Sequence, residues 1–208
     1  MASLLRIDSS PRGNASYSRR LGDQFTDAWK AAHADGSVVV RDLASNQPTY
    51  VDIQWIGGAF SAPDQQTAEH KAALKLSDEY IAELQAADTV LITTPMYNFA
   101  VPAVLKAWID HVVRVGVTVN YTDKGPVGQL NGKKVVVIFA SAGAYEKGTP
   151  AENVNFITPY LKHVLGFIGI TDVDFVQAEG GAGVQYGKIS EADYLKPSEA
   201  KVAELAKA

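Results

Sequence analysis

The chain has 208 residues, of which 47% are hydrophobic and 20% charged, and its formal net charge is −4. This composition is typical of a globular protein with one sizeable core. The acidic balance, without a lysine- or arginine-rich stripe, argues against a nucleic-acid partner, and the lack of cysteine excludes disulfides, thiolate metal sites and cysteine nucleophiles.

The sequence carries no sign of a membrane or secretory segment. No apolar run approaches the ~18 residues of a membrane span, and no basic stretch followed by an apolar one opens the chain. We therefore expect a soluble cytoplasmic protein without a membrane partner. No linker or composition shift divides the sequence, so residues 1–208 are expected to form a single domain.

Short apolar runs alternate with longer segments of helical periodicity, which predicts repeated strand–helix units. The predicted strands are Leu4–Asp8, Val38–Val40, Asp88–Thr94, Lys134–Ala140 and Asp172–Val176. Apolar spacing predicts helices over Ser18–Trp29, Leu74–Leu84, Val101–Val112 and Ile157–Ile168, with Pro102 in a first helical turn. The tail from Ser190 has helical propensity but is interrupted by Pro197.

Two segments lack a helical period. Leu43 to Pro63 is rich in Asn, Gln, Pro and Gly, which predicts a long loop of the kind that is functional or lies at an interface. Val117 to Thr122 alternates apolar and polar residues, which predicts a short β segment or an ordered loop. Five strands with interleaved helices predict a doubly wound α/β domain, that is, a parallel sheet with helices on both faces.

The loop after the first predicted strand, Ser9 to Ser18, is rich in hydroxyl side chains and leads into a helix. The N–H groups and positive dipole end of a helix N-terminus favour an anion. The loop has neither a G-x-x-x-x-G-K-[ST] pattern nor the three glycines of G-x-G-x-x-G. We therefore expect a terminal monophosphate rather than a metal-bound triphosphate. The alternative is that Ser16 or Ser18 only caps the helix.

The loop after the third predicted strand carries Tyr97, Asn98 and Phe99. Ligands of open α/β sheets sit outside the carboxyl ends of the strands. Flat aromatic surface, an amide and free backbone N–H groups at that place suit a planar heteroaromatic ligand, with flavin as the leading hypothesis. The alternative is that Tyr97 and Phe99 are core aromatics at a strand end.

A third loop, Ser141 to Tyr145, follows the long apolar strand. Its small residues allow the backbone to approach a ligand closely, although glycine and serine also favour an ordinary turn. Because the three loops follow three strands of one parallel sheet, they are expected at the same edge. Together they favour one ligand site.

The sequence offers no side-chain group that would carry out a reaction by itself. The four histidines (His33, His70, His111 and His163) show no metal-ligand spacing, and we interpret them as structural or surface residues. No G-x-S-x-G elbow or other nucleophile–base pair is present. We expect no metal site, and an enzyme built on this sequence would rely on a cofactor.

At these loops the chain resembles the FMN-dependent NADH-azoreductases, also called FMN-dependent NADH:quinone oxidoreductases, which have a flavodoxin-like fold. The similarity runs along nearly the whole length, and Pro95-Met96-Tyr97-Asn98-Phe99 is its most specific motif. Other similar segments are Ser10 with Ser16-Tyr17-Ser18, Ser141–Ala144, Gly116–Thr122 and Leu165–Val173. Many relatives carry Ser-Arg-Gly-Gly where this chain has Ser141-Ala142-Gly143-Ala144, so their cofactor affinity and substrate range are not carried over.

The resemblance implies a homodimer whose two active sites lie at the subunit interface, each with one non-covalent FMN. The cofactor-binding residues that it implies are Ser10, Ser16, Tyr17, Ser18, Pro95, Met96, Tyr97, Asn98, Phe99, Ser141, Ala142, Gly143 and Ala144. Tyr121 and Phe167 would line the substrate side of the flavin, with Phe60 of the long loop as a third wall.

The activity that the resemblance implies is ping-pong, two-electron hydride transfer through flavin N5, without a catalytic side chain. NADH or NADPH would be the donor, the family name favouring NADH, and flat aromatic quinones, azo compounds and nitroaromatics would be the oxidants. The first alternative is a flavodoxin-type FMN carrier that passes single electrons to a protein. The others are an NAD(P)-binding Rossmann protein, disfavoured by the missing glycine fingerprint, and a dimeric scaffold with a vestigial site.

Overall fold

Five strands form a parallel sheet at the centre of the computed structural model, which describes residues 1–207. The strands of the molecule, in chain order, are β1 (Ser3–Asp8), β2 (Ser37–Asp42), β3 (Thr89–Pro95), β4 (Val119–Thr122), β5 (Gly125–Gly128), β6 (Lys134–Ala140) and β7 (Asp172–Ala178). The α-helices are α1 (Tyr17–Ala32), α2 (Ile53–Ala59), α3 (Ala68–Ala86), α4 (Ala103–Val112), α5 (Ile157–Phe167), α6 (Ala182–Gln185) and α7 (Glu191–Leu205). Single turns of 3-10 helix lie at Gly13–Ala15, Pro63–Gln65 and Glu152–Val154.

The parallel sheet has the strand order β2-β1-β3-β6-β7, and β4 and β5 form a separate antiparallel pair. The chain runs outward from β1 to β2 and then crosses back to β3 on the other side of β1. In an open α/β sheet, such a reversal leaves a crevice for ligands outside the carboxyl ends of the two strands. The register pairs Asp8 with Thr93 and Pro95 with Ala140, so the loops after β1, β3 and β6 emerge at one edge.

Successive side chains of each strand lie on opposite faces of the sheet, so that each face has its own hydrophobic core. On β6, Val135, Val137 and Phe139 pack with α3, α4 and α5, whereas Val136 and Ile138 pack with α1 and α7. A strand that is covered on both faces has no polar side, which explains the continuous apolar run from Lys134 to Ala140. The predicted doubly wound sheet with helices on both faces is confirmed.

The segment Leu43 to Pro63, predicted as a long loop, contains the helix α2. Asp52 caps this helix, its carboxylate accepting a hydrogen bond from the Trp55 N–H at 2.8 Å, and the Trp55 side chain is buried. The sequence did not reveal the helix because it has only seven residues, two of them glycine, and helix propensity is weak in such a stretch.

Two proline predictions were wrong. Pro102 is the residue before α4, in an extended conformation (φ −60°, ψ 154°), rather than part of its first turn. Pro197 lies inside α7, which continues through it. Burial of neighbouring side chains such as Leu195 and Val202 against β7 and α1 supplies the stability that the missing proline N–H removes.

The segment Val117 to Thr122, for which the sequence predicts a short β segment or an ordered loop, contains the strand β4 of the antiparallel pair. Among the helices formed by residues 1–207, none combines the length and the apolar character that crossing a membrane requires.

Candidate functional site

A cavity of about 500 Å³ opens at the carboxyl edge of the sheet, at the point where the strand order reverses. It is bounded by the loops after β1, β3, β6 and β7 and by the start of α7. The residues that line it are Ser10, Arg12, Ser16, Tyr17, Pro95, Met96, Tyr97, Ala140, Ser141, Ala142, Gly181, Gln185 and Tyr194.

The loop after β1 brings three serine hydroxyls to the N-terminus of α1. Ser16 is the N-cap, and its hydroxyl accepts a hydrogen bond from the Arg19 N–H at 3.5 Å. The hydroxyls of Ser16 and Ser18 lie 3.1 Å apart, and Ser10, Ser16 and Ser18 are all buried. Ser16 therefore does cap the helix, and it lines the cavity as well. Capping leaves the N–H groups of Tyr17 and Ser18, which have no partner inside a helix, for another acceptor.

A buried ionic network lies beneath this loop. The carboxylate of Asp8, the last residue of β1, accepts hydrogen bonds from the Thr93 hydroxyl at 2.7 Å and from Arg6 Nε at 2.9 Å. Arg19 Nη1 lies 3.4 Å from the second oxygen of Asp8. The same guanidinium forms a two-pronged ion pair with Asp42, at 2.6 and 3.0 Å. The network ties the ends of β1, β2 and β3 together.

The loop after β3 is a two-residue turn with an unusual backbone. Asn98 and Phe99 both have positive φ, 48° and 71°, as in a type I′ turn. Asparagine tolerates this region, but a bulky phenylalanine adopts it only when its surroundings impose it. Tyr97 is 43% exposed and Phe99 46% exposed, so the alternative that both are core aromatics is wrong.

Contacts with the loop after β6 and the start of α5 hold this turn. The Phe99 carbonyl accepts a hydrogen bond from the Phe156 N–H at 3.1 Å. The Phe99 ring meets the Tyr145 ring edge to face, with 6.1 Å between the centroids. The Met96 N–H donates to the Ala140 carbonyl at 2.8 Å, which joins the ends of β3 and β6.

The loop after β6 is fastened to the loop after β7 by backbone hydrogen bonds. The Gly180 N–H donates to the Gly143 carbonyl at 2.9 Å, and the Gly181 N–H donates to the Ser141 carbonyl at 3.0 Å. The Ser141 hydroxyl also donates to the Gly143 carbonyl, at 2.8 Å. A Cβ at Gly181 would lie only 3.1 Å from the Ser141 carbonyl oxygen, so this close approach favours glycine.

Glu179 anchors the far end of the same loop. One of its carboxylate oxygens accepts hydrogen bonds from the backbone N–H groups of Tyr145 and Glu146, both at 2.8 Å. Burial raises the pKa of this carboxyl above its ordinary value. The two N–H groups oppose the rise, and the nearby charge of Glu146 adds to it. The anchor thus fixes the ring of Tyr145 against the turn after β3.

Tyr194 of α7 closes the cavity on the side of β7. Its hydroxyl donates to the Ala178 carbonyl at 2.5 Å, and burial raises its pKa. Its ring meets the ring of Tyr17 edge to face, with centroids 4.9 Å apart, and the Tyr17 hydroxyl donates to Glu191 at 3.2 Å. The N-termini of α1 and α7 are therefore joined beside the cavity.

Comparison with known proteins assigns the chain to a family. Residues 2–197 match the family model described as a flavodoxin-like fold. An FMN-dependent NADH:quinone oxidoreductase of Acidobacterium capsulatum is 49% identical over 206 residues, which cover 99% of this chain and 100% of that protein. The chain belongs to the FMN-dependent NADH:quinone oxidoreductase family.

Solved structures agree with this assignment. An azoreductase from Bacillus anthracis is 30% identical and superimposes with a TM-score of 0.89, covering 100% of this chain and 99% of the other. A second structure, an FMN-dependent NADH-azoreductase from the same species in complex with FMN, is 25% identical with a TM-score of 0.88, covering 99% and 98%. The predicted family and its flavodoxin-like fold are confirmed.

Eight of the thirteen cofactor-binding residues predicted from the family resemblance line the cavity. They are Ser10, Ser16, Tyr17, Pro95, Met96, Tyr97, Ser141 and Ala142. The other five are Ser18, Asn98, Phe99, Gly143 and Ala144, each of which belongs to one of the same three loops. The three loops therefore do converge, as their positions after parallel strands predict.

The three predicted substrate-side residues lie away from the cavity lining. Phe60, directly after α2, is 74% exposed, and Tyr121 on β4 is 65% exposed. Phe167, at the end of α5, is partly buried against the core on that face of the sheet. Their assignment to the substrate side of a flavin stays a prediction.

The predicted site lacks five lining residues: Arg12, Ala140, Gly181, Gln185 and Tyr194. Arg12 lies inside the first loop, where a cation next to a predicted anion site was a usable signal. Ala140 is the last residue of β6, and the other three come from the segment after β7, which carries no motif. Within residues 1–207, no three His, Asp or Glu side chains form a group that could hold a metal ion.

Proposed function

We propose that this chain is an FMN-dependent oxidoreductase that uses NADH, or NADPH, to reduce quinones and azo compounds. One observation carries the proposal. A single cavity lies where the strand order reverses. At one end is the N-terminus of α1, which favours an anion, and at the other are the strained aromatic turn after β3 and the small-residue loop after β6. The family to which the chain belongs supports the same function.

The described residues fit an FMN phosphate at the start of α1. The N–H groups of Tyr17 and Ser18 and the positive helix end favour a negative charge. Ser10 and Ser16 offer hydroxyl donors at the cavity wall, and the Arg12 side chain adds a positive charge there. With no second cationic group in the loop aimed at a longer phosphate chain, a terminal monophosphate matches this end.

The opposite end fits a flat ring system. Met96 and Tyr97 on one side and Ser141 and Ala142 on the other provide a slot with few bulky side chains. We assign the Asn98 side chain and the backbone N–H groups of the Asn98 and Gly143 loops to the polar edge of the ring. Donors held in fixed positions stabilise negative charge as it develops, and one such donor is worth ~2.7–4 kcal/mol.

Bound FMN would supply hydride chemistry at its N5 atom, in a ping-pong cycle in which the nicotinamide leaves before the oxidant enters. The protein itself binds and orients the two reactants in turn. Exposed rings such as Tyr97 and Phe99 favour stacking with flat oxidants, each pair adding ~0.5–1.5 kcal/mol beyond burial. Because stacking distinguishes poorly between flat molecules, we expect quinones, azo compounds and nitroaromatics to be accepted.

We further propose that the enzyme works as a homodimer with its sites at the interface. The exposed rings of Phe60 and Tyr121 support this, because contiguous exposed apolar surface marks interaction sites. On α2, Ile53 and Ile56 extend the exposed apolar surface of Phe60. The cysteine-free sequence is compatible with a reducing cytoplasm, where we place the activity.

An absorbance spectrum of the purified protein tests the proposal, repeated after anaerobic addition of NADH. We expect flavin bands that bleach in one two-electron step and recover when a quinone is added. Accumulation of a one-electron-reduced flavin would favour the electron-carrier alternative instead. A protein that neither takes up FMN nor responds to NADH would contradict the proposed function altogether.

A further inference from the structure

Arg19 occupies an unusual place for a cation. It lies in the first turn of α1, where the helix dipole disfavours positive charge, and it is outside the lining of the cavity. Its side chain is only 12% exposed. A buried arginine in a position that the helix itself disfavours must gain its stability from its contacts.

Those contacts join the loop after β1 to the end of β2. Arg19 Nε and Nη2 both donate to the Ser10 carbonyl oxygen, at 2.9 and 2.6 Å. Arg19 Nη1 and Nη2 also donate to the two carboxylate oxygens of Asp42, and Asp8 Oδ2 lies 3.4 Å from Nη1. The planar fork of arginine can make these bonds together, whereas a lysine ammonium cannot.

We call these bonds from Arg19 to the Ser10 carbonyl and to Asp42 the clamp. The clamp determines which groups of Ser10 face the cavity. Its carbonyl oxygen is committed to Arg19, so that negative dipole is kept from an anion in the cavity. The Ser10 hydroxyl is oriented by the Arg12 N–H at 3.4 Å, and both residues line the cavity. Because two carboxylates balance the guanidinium, its effect on a phosphate is one of geometry rather than of net charge.

We propose that Arg19 is a positioning residue that sets the preference of this protein for FMN over riboflavin, by clamping the Ser10 carbonyl away from the phosphate. The inference rests on the proposed function, since it needs an FMN phosphate at the start of α1. Riboflavin has the same ring system and lacks the phosphate. Arg19 should therefore matter for one flavin and hardly at all for the other.

The experiment titrates flavin-free, full-length protein with FMN and with riboflavin and follows the quenching of flavin fluorescence. For Arg19→Gln we expect the Kd for FMN to rise about tenfold, the scale of one lost charge-assisted hydrogen bond. The Kd for riboflavin should stay within about twofold of the wild-type value. A general loosening of the fold would weaken both flavins alike, so the ratio of the two constants is the deciding quantity.

Arg20→Gln is the matched control. It removes the same charge from the next residue, whose guanidinium pairs with Glu191 at 2.6 Å on the surface and lies 5.8 Å from the Tyr17 ring centroid. It makes no contact with the Ser10 carbonyl. For Arg20→Gln we expect the ratio of the FMN Kd to the riboflavin Kd to equal that of the wild type. An equal loss of FMN affinity in both variants would overturn the proposed role of the clamp, because it would show that the loss follows from removing a positive charge.

Two milder variants keep the inference testable if Arg19→Gln does not fold. Arg19→Lys keeps the charge and loses the fork, and Asp42→Asn weakens the ion pair that aims it. Both should raise the ratio of the FMN Kd to the riboflavin Kd, and an unchanged ratio in both would overturn the role of Arg19. Equal wild-type affinities for the two flavins would instead contradict the phosphate placement itself, and with it this inference.

Discussion

The backbone N–H groups of Tyr97 and Ala100 each donate to the other's carbonyl oxygen at 3.0 Å, and these two bonds close the turn over Asn98 and Phe99. The closure forces two successive residues that are not glycine into the left-handed region. Such conformations cost about 1–3 kcal/mol each and persist only where the surroundings impose them. The cost is consistent with a turn whose shape serves a ligand.

The Asn98 side chain can be separated from its backbone by two substitutions. Asn98→Gly removes the amide and keeps a residue that tolerates positive φ, so we expect its unfolding free energy to stay within about 1 kcal/mol of the wild type. Asn98→Ala adds backbone strain. If the amide holds the flavin edge, both variants should lose flavin content or turnover. Unchanged flavin content and turnover in Asn98→Gly would remove the assigned role.

Ser16 has two roles that a change of side chain can divide. Ser16→Asp keeps a good N-cap for α1 and places a negative charge where we put the FMN phosphate. We expect melting close to that of the wild type but a large loss of FMN occupancy, and Ser16→Glu should lose occupancy as well. Riboflavin binding, measured in parallel, should be spared. Full FMN occupancy in Ser16→Asp would rule out the phosphate placement.

The ion pair beneath the first loop predicts a dependence of stability on pH. Burial tends to raise the pKa of Asp42, but hydrogen bonds from Arg19, Ser45 and the Ala44 N–H outweigh it and lower the pKa from 3.8 to about 2. A depressed folded-state pKa stabilises the protein above pH 3.8 and loses that effect as the pH falls toward 2. The shift is worth roughly 2 kcal/mol.

Asp42→Asn should accordingly unfold at lower urea concentration than the wild type at pH 7. The difference in unfolding free energy between the two proteins should shrink between pH 4 and pH 2. Asp27→Asn, an exposed aspartate of α1, is the control and should track the wild type throughout. A wild-type advantage that stayed constant down to pH 2 would show that it does not come from this carboxylate.

The glutamate behind the loop after β6 gives a prediction about local order. Glu179→Ala removes the acceptor for the Tyr145 and Glu146 N–H groups, and we expect both amides to exchange hydrogen faster. Glu179→Gln keeps a carbonyl acceptor and should retain most of their protection. Because burial raises the pKa of Glu179, ionising this carboxyl lowers the free energy of unfolding once the pH exceeds the ordinary pKa of a glutamate. Glu179→Gln should therefore gain on the wild type as the pH rises from 4 to 7.

The sequence predicted best where one physical signal dominated. The bounds of β6 were predicted to the residue because a strand covered on both faces has no polar position between Val135 and Phe139. The convergence of the loops after β1, β3 and β6 was predicted because parallel strands bring their carboxyl ends to one edge. That geometry follows from the topology alone and needs no side-chain detail.

What the sequence did not reveal depends on contacts between distant residues. Arg19 and Asp42 are 23 positions apart, and the sequence around each of them gives no sign that the two form an ion pair. Tyr194 reaches the cavity only because α7 packs beside α1. Gly181 shows its purpose only when the Ser141 carbonyl is seen beside it. These residues complete the site through tertiary packing, which a local pattern does not encode.

The exposed face of α2 predicts where the proposed homodimer has its contact. Ile53 and Phe60 are 75% and 74% exposed, and with Ile56 they form one apolar stripe at helical spacing. If this stripe packs against a second copy, a charge on it must be desolvated in the dimer. Ile53→Glu with Phe60→Glu should then weaken dimerisation at least about thirtyfold, the scale of losing an interface hot spot.

Sedimentation equilibrium measures this directly. Gln54→Glu adds the same kind of charge to the same helix at an exposed position outside the stripe, and we expect it to remain dimeric. The double variant should become monomeric at low micromolar concentration with its circular dichroism unchanged, because the two replaced side chains are exposed and contribute little to the core of one chain. A double variant that stayed as dimeric as Gln54→Glu would exclude α2 from the interface. The exposed β4–β5 pair, where Tyr121 lies, would then be the next candidate for the contact.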